Sequence, residues 1–204
     1  ARFSTNAIIV VLILGLANLI ADGLSMGVGD YLSSKSEKQY QNQEREREKW
    51  EVENFPEGEK IELIELYQQK GLSKEDAKKV TEIYSKNKKT WVDIMMVEEL
   101  GIIEDDEPPI KNAIATFFSF IIFGSVPLIT YVLALLIEPL AENPLFMFLL
   151  ACSLTGITLF VLGALKVKFT GGKIWILGLE TLIVGGLAAG AAYSIGYLLN
   201  GLLK

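Results

Sequence analysis

Residues 7–37, which read AIIVVLILGLANLIADGLSMGVGDYLSSKSE, restrict the possible folds more than any other part of the sequence. The stretch begins with an apolar run and keeps a helical pattern without a proline. A bilayer-spanning helix needs about 20 mostly apolar residues, which this stretch provides. No proline separates it from the charged residues 35–54. We therefore predict a membrane helix that continues directly into a hydrophilic module.

Three further apolar segments predict membrane helices at residues 113–137, 145–165 and 174–199. Between the first and second spans, residues 35–110 hold 20 of the 25 acidic side chains and 13 of the 19 basic ones. This distribution predicts an all-α, polytopic membrane helix bundle with one small helical domain, here called the insert, between membrane helices. The predicted domains are residues 1–34, 35–110 and 111–204.

Helix breakers divide the insert, residues 35–110, into short helices. Pro56 ends the first helix, and Gly71 and Gly101 end two later ones. Ser73 and Asp76 resemble a capping box that opens a helix. The predicted helices after Pro56 cover residues 57–70, 73–86 and 88–100.

Lysine placement predicts how the chain crosses the bilayer, because short cytosolic loops carry an excess of lysine and arginine. The turn KVKFTGGK, residues 166–173, has three lysines, whereas EPLAEN, residues 138–143, has none. SSKSEK at the end of the first span is also basic. We therefore predict that the insert and KVKFTGGK are cytosolic and that EPLAEN faces the opposite compartment.

The insert also carries candidate metal ligands. Two pairs of glutamates three residues apart share helix faces, and two methionines share a helical turn with a further glutamate. The candidate ligands are Glu48, Glu51, Glu59, Glu62, Met95, Met96 and Glu99. Carboxylates favour hard and borderline divalent cations and thioethers favour softer ones, so the set suits Fe(II), Mn(II) or Zn(II). A solvated glutamate-rich face with two core methionines is the alternative interpretation.

Polar residues inside the predicted spans mark a candidate path for ions. Asp22, Met26 and Asp30 recur every four residues and stack on one helix face. A charge near the bilayer centre costs at least about 2.5 kcal/mol, so Asp22 should face protein, water or an ion. Glu180, near the start of the last span, is a candidate proton acceptor. The alternatives are a structural hydrogen bond for Asp22 and an interfacial position for Asp30 and Glu180.

Several functions find no support in the sequence. It contains no nucleophile–base arrangement, phosphate loop or dinucleotide fingerprint, so we do not predict an enzyme. The acidic excess of the insert favours cations over nucleic acid as partners. The sequence has no histidine, and Cys152 is its single cysteine, so no disulfide framework is implied.

Several segments, in order, resemble the vacuolar iron transporter family, which includes the yeast Ca(2+)-sensitive cross-complementer group. GLANLIADGLSMGVGDYLSSKSE resembles the second membrane helix of the family, and WVDIMMVEELG resembles the end of its metal-binding domain. The resemblance resumes in FFSFIIFGSVPLITY, LGALKVKFTGG and GLETLIVGGLAAGAAYSIGYLL and covers essentially the whole chain. The family's first membrane helix has no counterpart here, so we expect the complete protein to contain one more helix.

The resemblance implies a five-helix fold that dimerises, with a cytosolic metal-binding domain between the second and third membrane helices. It implies export of Fe(II), and often Mn(II), from the cytosol into a vacuole in exchange for protons. By motif, the seven candidate ligands of the insert would bind the metal, and Met26 would line the translocation path. Plant members carry an acidic residue at the position of Asn18 and a glycine at the position of Asp22. The acid has therefore either moved one turn along the helix, or Asp22 has a local role.

The leading hypothesis is a homodimeric, proton-coupled Fe(II) and Mn(II) transporter in the membrane of a vacuole or similar acidic organelle, with Asp22 and Glu180 as candidate proton carriers. The first alternative is a metal-responsive membrane sensor or adaptor whose insert binds metal without transport. The second alternative is an insert that supports only dimerisation or partner binding. Titration with divalent metal separates this last hypothesis from the others.

Overall fold

A computed structural model of the chain describes residues 5–103 and 107–202. All the regular secondary structure in these ranges is helical, which confirms the predicted all-α class. The sequence also predicts an acidic, proline-terminated linker at residues 104–109, and residues 104–106 of it lie outside the described residues. In the described part, the helices are α1 (Thr5–Asn54), α2 (Pro56–Gln69), α3 (Lys74–Tyr84), α4 (Lys88–Glu98), α5 (Pro109–Leu136), α6 (Glu138–Ala141), α7 (Pro144–Thr170) and α8 (Ile174–Leu202).

Helix α1 contains both the first apolar stretch and the charged segment that follows it. It has 50 residues, which corresponds to about 75 Å at about 1.5 Å per residue. The hydrocarbon core of a bilayer is only about 30 Å thick. The helix ends at Asn54, and the next residue, Phe55, has a φ of −130° and precedes Pro56, the first residue of α2. The predicted continuity of the membrane helix with the hydrophilic segment is thus present.

The chain divides into two compact units. One contains the described residues of Ala1–Met26 and Thr116–Lys204, and the other is Gly27–Ala115. Within the described residues, four helices are long and apolar enough to cross a membrane, namely α1, α5, α7 and α8. The number of candidate spans is the one that the sequence predicted.

A small hydrophobic core holds the insert together. Its buried members are Val52, Leu63, Tyr67, Ala77, Trp91, Val92, Met95 and Met96. The predicted cap of α3 is present, because the backbone N–H of Asp76 donates to Ser73 Oγ at 3.1 Å. Asn87 caps α4 in the same way, accepting from the N–H of Thr90 at 3.1 Å. These caps define where α3 and α4 begin, and so which residues of each helix face the core.

Helix α7 is longer than predicted, because nothing in its sequence breaks it before Gly171. The third span was expected to end at residue 165, with a turn at residues 166–173. Residues 166–170 are instead helical, so that expectation is wrong. Gly171 has a φ of +70°, a conformation that favours glycine over other residues. The connection to α8 is therefore only three residues long, 171–173.

Close packing of α7 against α8 depends on a glycine. A Cβ atom at Gly163 would lie 2.6 Å from Thr181 Oγ1 and still closer to the carbonyl oxygen of Leu177. Because backbone cannot yield as a flexible side chain can, the two helices approach each other here only through the absence of a side chain.

We predict that Gly163→Ala destabilises the packing of α7 on α8 by about 1–3 kcal/mol, the usual cost of overpacking. Gly190→Ala is the matched control, because a Cβ at Gly190 meets nothing within 4 Å. Thermal unfolding of the full chain in detergent should give a lower Tm for Gly163→Ala than for the control. Equal Tm values would contradict the close contact at Gly163.

Candidate metal centre

Three glutamates from three different helices converge in the insert. Glu48 lies on α1, Glu59 lies in the first turn of α2, and Glu99 is the C-cap residue of α4. One carboxylate oxygen from each residue lies within 4.8 Å of the other two. We call Glu48, Glu59 and Glu99 the glutamate triad.

Most of the carboxylate oxygens of the triad are buried and lack hydrogen-bond donors. Glu48 is 0% exposed, Glu59 is 7% exposed, and Glu99 is half-buried. Both oxygens of Glu48, and one oxygen each of Glu59 and Glu99, are buried without a hydrogen-bond partner. An unpaired ionised carboxylate is costly in such surroundings. The triad therefore requires either protons or a bound cation.

Burial and mutual repulsion favour the protonated form of the triad. Burial raises the pKa of Glu48 to about 8, and the charge of Glu99 adds to the effect. Burial, followed by the charge of Glu51, raises the pKa of Glu59 to about 7. The pKa of Glu99 is also raised, mainly by burial. Near neutral pH the triad therefore retains protons that an incoming metal ion must displace.

The arrangement of oxygens fits a divalent metal ion. Two metal–oxygen bonds of about 2.2 Å span at most about 4.4 Å, slightly less than the 4.8 Å that encloses the triad oxygens. Small rotations of the glutamate side chains close this gap. The unpartnered oxygens can turn towards a metal without breaking any existing hydrogen bond.

The other predicted carboxylate ligands surround the triad. Glu51 is half-buried and pairs with Arg47, whose Nε lies 3.3 Å from Glu51 Oε1. Glu62 is exposed on α2, and its charge contributes to the raised pKa of Glu59 and of Glu99. The geometry thus brings three of the predicted glutamates into one cluster and leaves these two beside it. Ligation by Glu51 and Glu62 stays a prediction.

The two predicted methionine ligands lie in the hydrophobic core of the insert. Met95 is 0% exposed and Met96 is 1% exposed. They belong to the same core cluster as Val52, Leu63 and Trp91. This position agrees with the core interpretation that the sequence left open. A further role for their sulfur atoms in metal binding stays a prediction.

Sequence reasoning missed two charged residues beside the triad, Glu44 and Arg47. Arg47 Nη1 lies 3.4 Å from Glu44 Oε2, so the guanidinium contacts both Glu44 and Glu51. The charge of Arg47 opposes the rise in pKa of every triad member, but burial has the larger effect. The signal was present in the spacing, because Arg47 follows Glu44 by three residues and precedes Glu51 by four.

The predicted path residues lie on the apolar helices. Asp22 and Met26 are exposed on α1, Asp30 is half-buried on the same helix, and Glu180 is exposed on α8. Among the described residues, the triad is the group of acidic, cysteine or histidine side chains close enough to share a metal ion. The path residues are not part of it, and their role stays a prediction.

Comparison with known proteins assigns the chain to a family. A sequence profile described as the VIT family matches residues 1–197. The chain belongs to the VIT family. This result confirms the resemblance inferred from the sequence. Members of the VIT family are transporters and not enzymes.

Named relatives of this VIT chain come from parasites and plants. The vacuolar iron transporter of Toxoplasma gondii is 43% identical over 193 residues, which cover 93% of the VIT chain and 64% of the relative. The vacuolar iron transporter of Plasmodium berghei is 40% identical over 194 residues, which cover 93% of the VIT chain and 71% of the relative. Vacuolar iron transporter 1 of Oryza sativa subsp. japonica is 34% identical over 186 residues, which cover 91% of the VIT chain and 71% of the relative. The VIT chain thus spans 64–71% of the length of these relatives.

Proposed function

We propose that the chain is part of a transporter that moves Fe(II), and also Mn(II), from the cytosol into a vacuole or similar acidic organelle. Its relatives named vacuolar iron transporter support the iron cargo and the vacuolar location. The four apolar helices support a multi-pass position in the membrane lipid. The observation that carries the proposal is the glutamate triad, whose buried oxygens lack any hydrogen-bond donor.

The insert is the cytosolic collector of metal in this proposal. Three lysines at the end of α7 and just after it support the cytosolic orientation of the insert. Lys166 and Lys168 lie in the last turns of that helix, and Lys173 follows it. The triad captures a divalent cation by exchanging protons for it. Carboxylate affinity for metal falls as pH falls, so capture by the triad is favoured in the near-neutral cytosol. Release is favoured at carboxylates of the path that face the acidic compartment.

Met26 and the membrane carboxylates form the proposed path between two protomers. Met26 is 48% exposed on α1 and offers a thioether to a soft or borderline cation. Asp22 and Glu180 would carry protons in the opposite direction. Their presence on apolar helices supports this role, because ionisable residues are expensive within a bilayer and are usually retained for function.

The complete protein in proteoliposomes provides the test. We predict Fe(II) uptake that requires an acidic interior, and an initial rate about tenfold lower in Met26→Ala, because loss of a metal-contacting group typically costs that much or more. Val28→Ala is the matched control, since Val28 is an apolar residue of α1 with similar exposure, 55%. Its uptake should equal that of the parent protein.

Other outcomes identify which part of the proposal is wrong. Equal uptake by Met26→Ala and the parent protein would remove Met26 from the path. Metal binding by the insert without gradient-driven uptake would favour the metal-responsive sensor or adaptor.

A further inference from the structure

Arg47 connects two glutamates of α1 that flank a member of the triad. Its Nε lies 3.3 Å from Glu51 Oε1, and its Nη1 lies 3.4 Å from Glu44 Oε2. Glu48 lies between these two glutamates on the same helix face, because it follows Glu44 by four residues and precedes Glu51 by three. The guanidinium therefore lies beside the part of α1 that carries Glu48.

Glu51 is close to the triad as well as to Arg47. Its negative charge contributes to the raised pKa of all three triad members, and its side chain is only 25% exposed. The triad provides three ligand oxygens, whereas Mn(II) is commonly surrounded by six. Glu51 is therefore placed to provide a fourth carboxylate, provided that its oxygen leaves the guanidinium of Arg47.

We propose that Arg47 competes with the metal ion for Glu51, and that Glu44 keeps hold of the guanidinium when Glu51 turns to the metal. The competition rests on the proposed collection of metal by the insert and determines how tightly the metal is held. Glu44 suits this role, because its side chain is only 15% exposed and already contacts Arg47. The exchange breaks one ion pair of Arg47 and preserves the other, so the guanidinium is not left without a partner.

Two electrostatic effects of Arg47 oppose metal binding. A guanidinium stays charged at every physiological pH, so it attracts Glu51 whether or not the triad is protonated. Its positive charge also repels a cation that approaches the triad. Because the Arg47 side chain is 56% exposed, solvent screens both effects and each is modest. The insert then holds metal less tightly than its carboxylates alone would, which suits a collector that must pass its cargo on.

Calorimetric titration of the full chain in detergent with Mn(II) provides the test. Arg47→Gln should bind Mn(II) about three- to fivefold more tightly than the parent protein, because a partly exposed ion pair contributes up to about that much. Lys49→Gln is the matched control. Lys49 lies on the same helix, carries the same charge and is 57% exposed, but it pairs with Glu46, which is not a predicted ligand. Its affinity should stay within about twofold of the parent value.

A double-mutant cycle separates competition for Glu51 from a general effect of charge. Glu51→Gln removes the contested carboxylate, so most of the gain from Arg47→Gln should disappear in that background. Arg47→Lys restores a cation at the same position and should return the affinity to within about twofold of the parent value. The proposal would be overturned by a gain that persists in full without Glu51, by an equal gain in Lys49→Gln, or by unchanged or weaker binding in Arg47→Gln.

Metal binding by the parent protein tells the two possible failures apart. If neither the parent protein nor any variant binds Mn(II), collection of metal by the insert is wrong, and the competition fails with it. If the parent protein binds Mn(II) and Arg47→Gln binds it equally well, only the competition is wrong.

Discussion

Replacing Glu48 by alanine is expected to weaken the binding of divalent metal by at least about 100-fold, since loss of one partner from a buried charged site costs about 3 kcal/mol or more. Glu48 is the only fully buried member of the triad, and both of its oxygens lack a hydrogen-bond donor. Titration of the full chain in detergent with Mn(II), and with Fe(II) under anaerobic conditions, measures the affinity.

The control for this variant is Glu65→Ala, which removes an exposed carboxylate of α2 outside the triad. It removes one carboxyl group from the insert, as Glu48→Ala does, and should bind metal like the parent protein. Unchanged affinity in Glu48→Ala would show that the metal ligands lie elsewhere. Equal losses in the two variants would show that the insert attracts metal only through its overall negative charge.

The metal-free insert should lose stability as pH rises from about 5 to about 8. Burial raises the pKa of Glu48 to about 8 and that of Glu59 to about 7, above their ordinary value of 4.5. The folded state therefore binds these protons more tightly than the unfolded state does. Their stabilising effect is complete below about pH 4.5 and is lost as pH passes through about 7 and 8. We expect a total loss of several kcal/mol, because a pKa difference of one between the folded and unfolded states is worth about 1.4 kcal/mol.

Glu48→Gln should reduce this dependence on pH, because the amide fills nearly the same volume and carries no charge. Its metal-free form should be more stable than the parent protein at pH 8. Trp91, which is 3% exposed, can report unfolding of the insert by fluorescence once Trp50 and Trp175 have been replaced by phenylalanine. Glu65→Gln is the control and should keep the parent's dependence on pH. A parent protein that is equally stable at pH 5 and pH 8 would contradict the assigned burial.

The features that were predictable from sequence are those fixed by local chemistry. Pro56 ends α1, and Ser73 caps α3, because proline geometry and a short hydroxyl side chain act on residues a few positions away. The four spans were predictable because a bilayer requires long apolar helices. The end of α7 was misplaced because lysines were taken as the start of a turn, although only Gly171 adopts the conformation that stops the helix.

Convergence of the triad was only partly predictable, because it depends on packing between distant segments. The i, i+3 spacing identified Glu48 and Glu51 as candidate ligands. It could not show which of the two lies in the buried triad. Burial against the insert core leaves Glu48 without a partner, whereas Glu51 meets Arg47. The meeting of α4 with α1 and α2, which brings Glu99 to the triad, is set by the core packing of the insert and not by any local pattern.

The raised pKa values of the triad have a consequence for the electrical character of metal loading. At neutral pH the carboxyl of Glu48 is mostly protonated and that of Glu59 is about half protonated. A divalent cation that enters such a site expels between one and two protons, so the charge of the site changes by less than one unit. Loading is then close to electroneutral. The occupancy of the insert should therefore follow cytosolic proton and metal concentrations while responding only weakly to ionic strength or membrane voltage.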